Sequence, residues 1–104
     1  MPRSTDETRA LLNAQTGKLG WPELARHFAR GVVIKVTPDM DLVGVATAIV
    51  EDRKHEVEAW QQTGKLAPAN DEDARRWQVH DCTFWTVVAA PWVLVQEIRS
   101  DVQV

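Results

Sequence analysis

The stretch FWTVVAAPWVLVQ, residues 84–96, decides the fold of this 104-residue chain. It holds no charged side chain, two tryptophans and one proline, Pro91. Its β-branched and aromatic content predicts two strands, residues 84–89 and 92–98, around a turn at Ala90-Pro91. With Ala89 opposite Trp92, Val88 faces Val93 and Thr86 faces Val95. One face of this ribbon then carries Trp85, Val87, Ala89, Trp92 and Leu94. The other carries Phe84, Thr86, Val88, Val93 and Val95. A strand with one wet face alternates apolar and polar residues. Both faces here are apolar, so both require cover. A two-residue turn with proline second calls for a cis bond, whereas a longer loop would shift the register.

Upstream, the pattern is mostly helical. Ser4 and Glu7 have capping-box spacing, which predicts a first helix through ETRALLNAQ that stops at Gly17. Trp21-Pro22-Glu23 opens a second helix, because proline suits the first helical position. Trp21, Leu24 and Phe28 form its apolar stripe, and Gly31 ends it. VVIKV, residues 32–36, reads as a strand, and Thr37-Pro38-Asp39 as a turn. Asp41 then caps a long helix to about residue 62, a rod of roughly 30 Å at helical rise. Leu42, Val45, Ala46, Ile49, Val57 and Trp60 recur along it with helical period. KLAPAN reads as a connector. Asn70 caps a fourth helix, with Asp73 at the reciprocal position, reaching about His80. The tail RSDVQV is expected to fray. The expectation is a single α+β domain over residues 1–104, with an ordered core of about 5–98. The order is α-α-β-α-α-β-β, a small three-stranded sheet with a C-terminal hairpin packed by helices.

The chain is 44% hydrophobic and 26% charged, the balance of a globular domain rather than a disordered one. A net charge of −3 imposes no nucleic-acid or anionic-membrane partner. The uncharged run from Cys82 to Gln96 is shorter than the roughly 20 apolar residues of a spanning helix, and Pro91 interrupts it. The single cysteine, Cys82, excludes an internal disulfide framework and fits a reducing compartment. With no apolar leader segment near Met1, a cytoplasmic location is expected. Residues 1–36 carry six basic and three acidic side chains, and residues 39–81 five basic and ten acidic ones. These opposite signs suit contact within or between molecules, or two independently solvated faces.

Candidate chemistry is sparse. Glu51, His55 and Glu58 share one face of a continuous helix at spacings of four and three, a pattern able to hold a transition metal. No second His–carboxylate motif completes the shell, and ion pairing such as Lys54 with Glu58 explains the same residues; no metal or cofactor is expected. His80-Asp81-Cys82 places a thiol near an imidazole without a recognisable nucleophile motif, so an inert thiol is the plainer reading. Lys18, Arg26, Arg30 and Lys35 are too sparse for a nucleic-acid surface. Phosphate-loop, paired-cysteine and Gly-x-Ser-x-Gly patterns do not occur.

The blocks LLNAQTGKLGWPELARHFARGVVIKV, DMDLVGVATAIVEDRKHEVEAW and PWVLVQ resemble a small family of uncharacterised bacterial proteins over roughly residues 11–97. WxELxxxFARG and PWVLVQ carry the resemblance. It implies a bacterial stand-alone domain and transfers no functional residue. The leading functional expectation, from the ribbon, is a self-associating protein-interaction domain without catalytic activity. It is a homodimer or larger species that uses Trp85, Pro91, Trp92 and Leu94. The alternative is a small-molecule-binding protein or enzyme with a tryptophan-lined pocket between the sheet and the long helix, near Glu51, His55 and Glu58.

Overall fold

The computed structural model describes residues 4–98; the expectation for the RSDVQV tail falls outside them. Ser4 caps α1 (Thr5–Gln15), its Oγ accepting from the Glu7 N–H at 3.1 Å. The helix runs to Gln15 with Thr16 as its cap, so Gly17 follows its end as expected, and Gly17 also opens a strand that was not expected, β1 (Gly17–Gly20). Helix α2 (Trp21–Ala29) follows with Pro22 in its first turn, and Gly31 at φ +74° ends it. Strand β2 (Val33–Val36) lies within the expected VVIKV.

The long helix is two helices, α3 (Leu42–Val50) and α4 (Lys54–Gln62). Asp52 stands between them at φ +58°, a left-handed conformation that aspartate tolerates better than most residues. The two halves differ physically. α3 is apolar on most of its circumference and buries six residues, whereas α4 buries none. A straight continuation would leave α4 unseated; the break lets Val57 and Trp60 pack against the core. After α4, the expected connector contains a short strand, β3 (Leu66–Pro68). Then come α5 (Asp71–His80), β4 (Thr83–Ala89) and β5 (Trp92–Glu97). The Asn70–Asp73 capping box forms as expected, with bonds of 2.8 and 3.0 Å.

Among the described residues the sheet has five strands rather than three, in the order β1-β4-β5-β2-β3. Only β2 and β5 pair in parallel. The hairpin register is the expected one: Ala89 opposite Trp92, Val88 opposite Val93, Thr86 opposite Val95. The Ala90–Pro91 bond is cis. Two cores form, one on each face. Val87, Ala89 and Leu94 pack with Leu12 of α1 and with Leu42, Val45 and Ala46 of α3. Phe84, Val93 and Val95 pack with Leu24 of α2 and Trp77 of α5. The cover that the apolar ribbon demands therefore comes largely from helices of the same chain. Among the described residues, no helix is long and apolar enough to cross a membrane.

Candidate binding groove

The helices leave a concave opening near one end of the sheet. Trp92 is the first residue of β5, while its parallel neighbour β2 begins only at Val33, opposite Val93. The segment beside Trp92 holds Gly31, which has no side chain to close the space. An open groove of about 410 Å³ results. Ile34 of β2, Leu66 and Pro68 of β3 and Trp92 of β5 line its sheet side. Ala48 and Ile49 of α3 and Val57 of α4 line its helical side. Lys54, Glu58 and Gln61 of α4, with Asp52 and Arg53 of the α3–α4 joint, supply its polar lining. The volume lies in the range of small-ligand sites, which are mostly apolar with a few polar groups.

The joint is fastened to α1. Arg53 donates to Glu51 Oε1 and, at 3.3 Å, to Thr5 Oγ1; the Thr5 hydroxyl donates to Glu51 at 3.3 Å. Arg53 also lies 3.6 Å from Glu56. A smaller recess of about 280 Å³ opens here. It includes the Arg9–Asp41 ion pair, in which Arg9 holds the Asp41 carboxyl below its usual range. Both of its arginines are committed to carboxylates.

The residues named from sequence are dispersed. Trp92, 38% exposed, walls the groove, and Pro91 stands exposed in the adjoining turn. Trp85, 41% exposed, shares that sheet face but lies four residues along β4 from Trp92's partner Ala89, about 13 Å away at strand rise. There Lys18 Nζ sits 5.1 Å from its ring centroid. Leu94, at 0% exposure, belongs to the chain's own core, which removes it from any docking surface. Glu51, His55 and Glu58 do not share one helix face, because the break at Asp52 intervenes. Glu51 ends α3 bound to Arg53, His55 is exposed, and only Glu58 reaches the groove. No cluster of three metal-ligating side chains occurs among the described residues.

Burial, then the Glu97 carboxylate, pushes the Cys82 thiol up, away from the thiolate that nucleophilic chemistry needs. Lys35 is spent on Asp73, 2.7 Å away, and no longer counts toward a basic surface. The groove's apolar lining was missed from sequence. Ile34, Ile49 and Val57 read equally well as core, and the break at Asp52 sets Val57 of α4 beside the other two.

The fold and groove define a small α+β domain, its sheet packed by helices on both faces, with a ligand-sized opening beside one tryptophan. The chain belongs to the family described as Protein of unknown function (DUF2288), whose match spans residues 7–97. It is similar to PA1075 from Pseudomonas aeruginosa, whose solution NMR structure it matches at 36% identity and a TM-score of 0.80. The match covers 100% of this chain and 96% of that one. No curated protein matches it.

Proposed function

We propose that this protein is a non-catalytic binding domain that takes a small, largely apolar ligand into the groove beside Trp92, in the reducing cytoplasm that its lone thiol suits. The observation that carries the reading is the lining: seven apolar side chains around one opening, with charged groups only from α4 and the α3–α4 joint. A ligand of about twenty heavy atoms at roughly −0.3 kcal/mol per atom would bind with a Kd of some tens of micromolar. Anilinonaphthalene sulfonate, a probe of about that size with two apolar aromatic groups and one sulfonate, is expected to bind in this range. Trp92→Ala weakens it at least about tenfold, the equivalent of ~1.4 kcal/mol, and Trp85→Ala leaves it unchanged. Equal loss in both variants, or no saturable binding to the native protein, refutes the groove.

Self-association is the second reading, and the hairpin tip favours it. Pro91 is exposed, with Val88 52% exposed on one face and Trp92 open on the other. Tryptophan at such a site is a typical interface anchor. On this reading a homodimer forms through Pro91 and Trp92, and Trp92→Ala dissociates it. Sedimentation equilibrium at tens of micromolar separates the two readings, since ligand uptake alone leaves a monomer.

A further inference from the structure

We infer that α4 is a hinged wall of the groove, able to swing as a unit while the rest of the fold stays closed. Two left-handed residues bracket it, Asp52 at φ +58° and Gly64 at φ +79°. No residue of α4 is buried. It packs chiefly on α3 and β3, seated by the half-buried Val57 and Trp60. Segments with few buried apolar contacts open at lower free energy than the global transition. α3, by contrast, is fixed by six buried residues against β4 and β5.

The same helix supplies Lys54, Val57, Glu58 and Gln61 to the groove. Its displacement therefore sets the groove's width and exposes Ile49 and Trp92. The clamp at its first hinge is specific: Arg53 ties the joint to Thr5 and Glu51, so the start of α1 bears on the position of α4. The inference rests on the proposed groove for its use, but not for the motion.

Amide hydrogen exchange on the full chain without ligand tests it. The hydrogen-bonded amides of α4 are expected to exchange at least about tenfold faster than those of α3. Arg53→Met is expected to raise α4 exchange further and leave β4 and α5 unchanged. Protection of α4 equal to that of α3 overturns the inference. Added anilinonaphthalene sulfonate is expected to slow α4 selectively. Saturable binding with no change in α4 overturns the hinged wall while the groove stands. Fast α4 exchange with no probe binding upholds the motion and removes the groove as its purpose.

Discussion

Trp77 has no exposed surface and stands at the centre of an aromatic group, 4.9 Å from the Phe84 ring and 5.9 Å from Trp21. Its Nε1 has no hydrogen-bond partner among the described residues. Trp77→Ala is expected to cost about 3–5 kcal/mol in chemical denaturation. Trp77→Phe costs substantially less, since no hydrogen bond is lost with the indole. Asp73 is the other buried residue of consequence, 3% exposed. Burial alone would raise its pKa, but the Lys35 hydrogen bond, the Asn70 N–H and Arg76 together bring it below the usual carboxylate range. A depressed carboxylate contributes stability above its unfolded pKa of about 3.9 and loses it as pH falls through the folded value. The stability difference between the native chain and Asp73→Asn is therefore expected to be full at pH 7 and to shrink only below about pH 4. A difference that shrinks instead between pH 5 and 7 would contradict that assignment.

At the scale of elements, the Ser4 and Asn70 caps and the hairpin were legible because each is a local rule obeyed locally, whereas Asp41 stands at the start of α3 without a side-chain cap bond. Asn70 and Asp73 satisfy each other's backbone within one turn. Asn70→Ala is accordingly expected to lower stability by about 1 kcal/mol in thermal or denaturant melts. The hairpin register is the one a two-residue turn gives, although a longer loop, which the uniformly apolar ribbon left open, would have shifted it. Strands β1 and β3 were not legible. GKLG is four residues that begin and end in glycine, and LAP ends in a proline, tolerated only because β3 is a sheet edge. Their strand character comes from pairing with β4 and β2, not from their own composition. The break at Asp52 was hidden for a related reason: EDRK holds neither glycine nor proline. Tertiary packing of Val57 and Trp60, with the Arg53 clamp, selects a turn where local propensity favours continuation. The candidate metal face of Glu51, His55 and Glu58 fell with that continuity.

For the whole molecule, the decisive quantity is how the apolar ribbon is covered. Sequence alone showed two greasy faces and four helices, two of them short, so a second copy was the natural cover. The described residues form five helices, and α1 and α3 on one face with α2 and α5 on the other meet most of that demand. What remains is local: the groove and hairpin tip around Trp92 at one end, and Trp85 under Lys18 at the other. Exposed apolar residues scattered singly are ordinary on a monomer, whereas a concave apolar opening is where ligands bind. Filling that opening is expected to act more against binding than against folding. Ile49→Trp is predicted to abolish probe binding, with a modest fall in the denaturation midpoint because Ile49 also packs on the core of that face.

The most direct test follows amide and tryptophan indole NMR signals of the native chain through a titration with anilinonaphthalene sulfonate. The Trp92 indole and the amides of Ile49 and Val57 are predicted to shift together along one saturating curve, with the Trp85 and Trp77 indoles unmoved. Shifts centred on Trp85, or a titration that leaves Trp92 untouched, would contradict the groove as the working surface of this protein.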